Sequence, residues 1–178
     1  MVTGPNGPRA VSLIGTGGPI GSFLPLYQLP NTLFLSPGPY TVTGPGGADI
    51  GAINASLTMP PAFAWTNRDQ TTNVKRSQPL ALNWTGGASG QTISILGASS
   101  DLPTNSSAAF FCVAPVGATS FTIPAEVLSA LPASQSAAQK SKAAIFLIGS
   151  SDTPFTASGL QTAFGSAVYV LGKTVSFQ

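Results

Sequence analysis

Few residues of this chain could carry acid–base chemistry. Its 178 residues include five Asp and Glu, seven Lys and Arg, and no His. Without His, a Ser–His–Asp site is excluded. A pair of carboxylates could cleave a glycosidic bond, but none of the five acids lies in a recognisable motif: Asp49, Asp69, Asp101, Glu126 and Asp152. Turn and cap roles account for these acids, and we predict that the chain is not an enzyme.

A strand followed by a glycine-rich turn, Ala10–Ser22 (AVSLIGTGGPIGS), invites comparison with a dinucleotide-binding motif. That motif needs a helix after the glycines, because the helix N-terminus holds the pyrophosphate. Pro25 and Pro30 prevent a regular helix there. The glycine spacing also differs from GxGxxG, and we expect a β-turn instead.

The other nucleophiles and metal ligands are isolated. Ser141 has Lys on either side, but this polar stretch contains nothing to desolvate the amine, which favours a solvated loop. Cys112 stands alone, so an internal disulfide and a cysteine-based zinc site are excluded. No Asp-x-Asp pattern occurs, which leaves only Asp49 or Asp101 as centres for a calcium site. We predict no metal and no cofactor.

Two tryptophans are the candidates for stacking on a sugar ring. Trp84 ends an alternating strand and is predicted to lie in the core. Trp65 lies in a polar stretch, 61–78, which we interpret as a solvated loop, and both a packed edge and an exposed platform are open for its ring. Trp65 with Asn67 is therefore the candidate ligand-binding pair, and a carbohydrate-binding module with an exposed aromatic platform is the alternative function.

The charge composition limits the partners. Charged residues make up 7% of the chain, where about 25% is typical of a soluble domain. The net charge of +2 is spread along the sequence, which argues against nucleic acid as a partner. Apolar runs such as Ala143–Gly149 are far shorter than the roughly 20 residues of a membrane span, so no transmembrane segment is predicted.

Short Val-, Ile-, Thr- and Phe-rich segments lie between 20 Gly and 16 Pro spaced along the whole chain. This pattern is typical of many short strands joined by turns. Several segments alternate with period two, as in Leu80–Trp84 and Ser120–Ile123, which indicates one buried and one wet face. Pro124–Leu131 predicts one short helical turn. The fold class is therefore all-β, an antiparallel Ig-like β-sandwich of about seven to nine strands.

Residues 1–35 form an apolar, Gly/Pro-rich N-terminal arm, distinct from a β-sandwich domain at 36–178. A free linker would be less apolar, so the arm must pack on its own sandwich or on a neighbouring molecule. Six apolar residues of the arm are candidates for self-association: Phe23, Leu24, Leu26, Tyr27, Leu33 and Phe34.

Thr41–Asn67 (TVTGPGGADIGAINASLTMPPAFAWTN) and Phe121–Pro132 (FTIPAEVLSALP) resemble a known group of domains. These are the Ig-like β-sandwich C-terminal domains of large, uncharacterised secreted proteins from Acidobacteria-type soil bacteria. The resemblance covers about residues 36–178. It rests on the Gly-Gly-x-Asp-[Ile/Val]-Gly turn, the Trp-Thr-Asn edge and the closing GKTVSF strand. It implies a sandwich and an extracellular location, and brings no catalytic residues.

No signal-peptide pattern opens the sequence, and because Met1 leads directly into Pro/Gly-rich sequence we expect a segment of a longer secreted precursor. The charge-poor, Ser/Thr/Gly-rich surface does not keep molecules apart electrostatically. We therefore predict a non-catalytic structural or adhesive module, secreted or at the cell surface. Its predicted partners are other copies of itself or neighbouring domains of a longer chain, and a glycan under the alternative function.

Overall fold

The computed structural model describes the backbone of residues 1–16, 25–28, 35–101, 103–134 and 142–178, and the side chains of these ranges except 12–16, 25–28 and 142. The chain is nearly all β, with 55% of residues in strands and 3% in helix. It folds as two compact units. The first unit comprises Met1–Pro61 and Ser151–Ala167, and the second comprises Ala62–Ser150 and Val168–Gln178.

The described residues contain fifteen strands and one helix. In chain order these are β1 (Val2–Gly4), β2 (Gly7–Arg9), β3 (Ser12–Thr16), β4 (Pro25–Gln28), β5 (Gly38–Gly44), β6 (Ile53–Met59), β7 (Phe63–Trp65), β8 (Asn73–Val74), β9 (Leu80–Gly86), β10 (Thr92–Asp101), β11 (Ser106–Val113), β12 (Ser120–Ile123), α1 (Ala125–Ser129), β13 (Lys142–Phe155), β14 (Ala163–Thr174) and β15 (Ser176–Phe177). Seven of these strands have seven or more residues, and the others are short.

The first unit contains an antiparallel sheet with the strand order β2-β1-β5-β6. β5 and β6 pair along their whole length, from Gly38↔Met59 to Gly44↔Ile53. Tyr40 is buried, and its ring occupies the space above Gly4, where a Cβ would overlap the ring. The N-terminal residues are thus part of this sheet. β3 and β4 form a separate antiparallel pair.

The second unit contains a four-stranded antiparallel sheet, β11-β10-β13-β14, and a three-stranded sheet, β12-β9-β7. β10 lies at the centre of the larger sheet, with Leu96 opposite both Phe111 of β11 and Phe146 of β13. A short parallel pair, β15-β8, places Phe177 opposite Val74. Except for this pair, the described pairings are antiparallel, as the alternating segments predict.

The core of the second unit draws on both of its larger sheets. Leu82 and Trp84 of β9 and Ile123 of β12 join Ile95 of β10 and Leu147 of β13 in one buried cluster. Leu128 of α1 is also fully buried there. The predicted core position of Trp84 and the predicted helical turn are both confirmed.

One sequence-based interpretation is wrong. The polar stretch 61–78 is not a solvated loop throughout, because it contains β7 and β8 and contributes Phe63, Trp65 and Val74 to the core. These strands have only three and two residues, too few for a period-two pattern to emerge from the polar residues around them.

The two compact units do not coincide with the predicted division into residues 1–35 and 36–178. Part of the arm, β1 and β2, pairs within the sheet of β5. The remainder of the arm lies largely outside the described residues, so its separate character stays a prediction. After β3 the described chain continues in a strand, β4, and the turn between them lies outside the described residues.

Candidate functional site on the outer face of the four-stranded sheet

Trp65 and Asn67 form a structural pair rather than an exposed platform. The Trp65 side chain is buried, with 6% of the residue exposed. Its indole Nε1 donates to Asn67 Oδ1 at 2.9 Å, and the backbone N–H of Asn83 donates to the same oxygen at 2.9 Å. Asn67 Nδ2 donates to the Ala81 carbonyl. The predicted aromatic platform is therefore wrong at Trp65, because the ring face is covered by the core.

The side chains of the candidate self-association residues of the arm lie outside the described residues. Phe23, Leu24, Leu33 and Phe34 lie outside the described residues. Leu26 and Tyr27 belong to β4, where Tyr27 is opposite Leu13 in the register, and their side chains are likewise outside what the structure describes.

The acids are dispersed over the described parts of the two units. Asp49 and Asp152 belong to the first unit, and Asp69, Asp101 and Glu126 to the second. Asp101 Oδ2 accepts a hydrogen bond from Thr104 Oγ1 at 2.7 Å in the β10–β11 turn. Asp69 lies 4.0 Å from Lys173 Nζ at the surface. Within the described residues, no three acids or cysteines lie close enough together to hold a metal ion.

The most distinctive surface of the molecule is the outer face of the sheet β11-β10-β13-β14, the face turned away from the core of the second unit. Ile93, Ile95, Ile145 and Leu147 point into the core, so the residues between them point outwards. The outer face consists of Ser107, Ala109, Phe111 and Val113 of β11, Thr92, Ser94, Leu96, Ala98 and Ser100 of β10, Ala144, Phe146, Ile148 and Ser150 of β13, and Val168, Val170, Gly172 and Thr174 of β14.

None of those outward side chains is ionisable, and many are large and apolar. Phe111 is 62% exposed, and Val113 and Val170 are each 53% exposed. Lys142 is the one ionisable residue that the described backbone places in register with this face, opposite Ser100 at the end of β13. An antiparallel sheet with one free face normally presents polar side chains to water. The outer face of this sheet instead combines large apolar side chains with Ala, Ser and Thr.

Side-chain size is organised in rows across the strands. The cross-strand partners Phe111, Leu96 and Phe146 form a large row, and the next outward partners, Ala109, Ala98 and Ala144, form a small row. A hollow of about 830 Å³ lies over the small row and the serines beside it. Gly172 of β14 leaves room for the Phe146 ring of the large row, because a Cβ there would lie 2.8 Å from Phe146 Cε1. The face is therefore a ridge beside a trough.

Cations border one end of this surface. Arg68 and Lys173 line a smaller hollow of about 350 Å³ together with Phe146 and Thr174. Arg68 Nε donates to the Gly172 carbonyl at 3.1 Å, and Arg68 Nη2 donates to the same oxygen. Neither this hollow nor the larger one is lined by Asp or Glu.

On the opposite, core-directed face of β11 lies the single thiol. Cys112 is half-buried, packs against the core cluster, and is opposite Ile95 in the register. Burial raises the pKa of the Cys112 thiol, so the thiolate fraction at neutral pH is below that of a free cysteine. This matches the prediction that Cys112 behaves as a small hydrophobe.

Among the described residues, no helix has the length and apolarity to cross a membrane. In comparisons with protein-family models, curated proteins and solved structures, none matched this chain.

Sequence reasoning missed the outer face as a site. The signal was present in the run Ala143–Gly149 (AAIFLIG), because continuous apolar residues in a strand indicate burial on both faces. Which strands this run pairs with, and hence which residues share its face, depends on the non-local pairing with β10.

Proposed function

We propose that this chain is a non-catalytic structural or adhesive module that associates with other copies of itself or with neighbouring domains. The observation that carries the proposal is the outer face of the four-stranded sheet, whose described side chains are apolar or small and carry no charge. Large exposed apolar patches mark interaction surfaces. The low overall charge adds little electrostatic repulsion between copies.

The edge of the same sheet supports association. β11 is the last strand in the order β11-β10-β13-β14 and has eight residues. Its sequence, SSAAFFCV, contains neither a charged residue nor Pro. Proteins that remain monomeric usually protect an edge strand with Lys, Pro or a bulge. An unprotected edge beside an apolar face favours contact with another chain.

An Ig-like sandwich in a secreted or cell-surface protein is part of this proposal. Two features support it. The second unit packs a four-stranded against a three-stranded antiparallel sheet. In the first unit, Tyr40 Oη bonds to the backbone of Ser36, four residues upstream, which resembles the tyrosine corner of Ig-like domains. Glycan binding through Trp65 and Asn67 is not proposed further, since the Trp65 ring is buried.

Association through the N-terminal arm remains a second part of the proposal, carried by the apolar composition of residues 23–34. The deletion of residues 1–35 is a poor test, because it removes β1 and β2 from the sheet of the first unit. Substitution of Phe23 and Phe34 by Ser leaves those strands intact and tests the arm alone.

Sedimentation velocity of the full chain over a wide concentration range tests the proposed function. We expect reversible association that weakens little as salt is raised, because the contact involves few charges. A chain that stays monomeric at every concentration contradicts self-association. Fractionation of the producing cells tests the location, and recovery in the cytoplasmic fraction contradicts it.

A further inference from the structure

The outer face of the four-stranded sheet has the size of a specific interface. Four strands spaced about 4.8 Å apart, each about eight residues long at about 3.3 Å per residue, cover about 500 Å². Two such faces in contact bury about 1,000 Å² together, which is the lower limit for a specific protein–protein interface. The sheet face alone therefore suffices for a weak, reversible dimer.

The face is also complementary to itself. The large row (Phe111, Leu96, Phe146) lies next to the small row (Ala109, Ala98, Ala144), with the hollow of about 830 Å³ over the small row. A two-fold axis that lies in the interface plane, parallel to the rows and midway between them, places each large row over the small row of the other copy. Such an isologous contact closes after two copies.

The near-absence of charge on the outer face also limits which surface can bind to it. Apart from Lys142 at the end of β13, the described backbone places no ionisable residue on the face, so the face offers little to pair with a charged partner, and burial of an unpaired charge is costly. The opposing surface must therefore be uncharged, apolar and contoured with a trough for the large row. This chain presents such a surface itself.

Building on the proposed function, we propose that this outer face binds the same face of a second copy, with the two sheets stacked face to face about 10 Å apart. Leu96 and Ala98 of β10 lie at the centre of the contact, Phe111 and Phe146 fill the partner's trough, and Val168 and Val170 lie at its margin. The edge of β11 is left free for further contacts.

Charge substitution tests the face against a matched control. Phe111→Lys and Val170→Lys each place one positive charge on the face. Val116→Lys places the same charge on an apolar turn residue outside the face that is somewhat more exposed, at 68%. We expect the dimer dissociation constant to rise about tenfold or more for Phe111→Lys and Val170→Lys and to stay unchanged for Val116→Lys. Circular dichroism and the melting temperature verify that each variant folds.

Cross-linking tests the geometry. In a Cys112→Ala background, Ala98→Cys should be linked between two copies by a short bis-maleimide, because both copies of residue 98 lie beside the two-fold axis. Ala64→Cys, exposed on β7 and outside the face, should not be linked. Equal cross-linking at both positions overturns the proposed stacking.

The outcomes separate this inference from the function on which it rests. If wild type associates, Phe111→Lys associates equally well, and substitution of Phe23 and Phe34 abolishes association, the sheet-face contact is wrong and the arm-mediated function stands. If wild type is monomeric at every concentration, the face-to-face contact and the proposed self-association are both wrong, and only the proposed contact with neighbouring domains stands.

Discussion

The aromatic ring of Phe110 lies directly over Gly97 on the neighbouring strand. The two residues are opposite each other in the β10–β11 register, and a Cβ at Gly97 would overlap the ring. Gly97 is itself buried. The same relationship joins Tyr40 to Gly4 in the first unit and Phe146 to Gly172 in the second. In each case the glycine leaves room for a ring from the adjacent strand, which covers a backbone that would otherwise lack side-chain packing.

Gly97→Ala is expected to destabilise the protein by about 1–3 kcal/mol, because the new methyl group displaces the Phe110 ring in a packed core. The free energy of unfolding in urea measures the effect. Gly47→Ala is the control, since a Cβ there meets no atom within 4 Å. In a Phe110→Leu background the penalty of Gly97→Ala should shrink, and an unchanged penalty would show that the ring is not its cause.

Asn67→Ala is expected to lower the free energy of unfolding by about 1–2 kcal/mol. The substitution removes the acceptor of the Trp65 indole N–H and of the Asn83 N–H, leaving two donors of the β7–β9 region unpaired. Asn73→Ala, exposed on β8, is the matched control and should have little effect. Urea unfolding followed by Trp fluorescence measures both. An Asn67→Ala variant that is as stable as the wild type would contradict the structural role of Asn67.

Tyr40→Phe is expected to cost about 0.5–1.5 kcal/mol of stability, because the phenol accepts from the Ser36 N–H at 2.8 Å and donates to the Ser36 carbonyl at 2.9 Å. Hydrogen exchange should show faster opening of the β5–β6 hairpin. Tyr169→Phe serves as control, since it keeps the ring that makes an edge contact with Phe63. Equal effects of the two substitutions would argue against a specific role for the Tyr40 hydroxyl.

Cys112 is expected to react with thiol reagents more slowly in the folded chain than in the unfolded chain at the same pH. Burial raises the pKa of the folded thiol, so the folded state binds its proton more tightly than the unfolded state. The contribution of the Cys112 thiol to the free energy of unfolding is complete below the pKa of the unfolded thiol, about 8.5. It is lost as the pH rises from there through the higher pKa of the folded thiol. Thiol labelling and urea unfolding against pH measure the two effects.

Cys112→Ala provides the comparison for the pH dependence. Stability of the wild type should decline across this alkaline window more steeply than that of Cys112→Ala, after allowance for the groups that both chains share. Parallel pH profiles would show that the thiol does not change its pKa on folding.

Local pattern predicted several elements closely. β12 has the bounds of the predicted segment, Ser120–Ile123, and β9 contains the predicted segment Leu80–Trp84 and continues to Gly86. The helix begins after Pro124 and ends before Pro132, as the two prolines indicate. Such segments are predictable because alternation, β-branched residues and proline act within a few residues of the chain. Trp84 was placed in the core on the same basis.

Elements that depend on distant partners were not predictable. β7 and β8 have two or three residues each, and their identity as strands depends on pairing with β9 and β15. The role of Trp65 likewise depends on Asn67 and on the core of the second unit. The residues of a short polar segment do not indicate which distant strand pairs with it.

The sequence by itself determined the class of this protein: a charge-poor, histidine-free chain whose alternating segments, separated by Pro and Gly, form many strands. Tertiary structure alone decided which residues share a surface. The outer face is assembled from four strands that lie between Thr92 and Thr174 of the chain, and the rows that give it a ridge and a trough exist only in the register of β10 with β11 and β13. Register arises from the simultaneous packing of both faces, and no single segment contains that information.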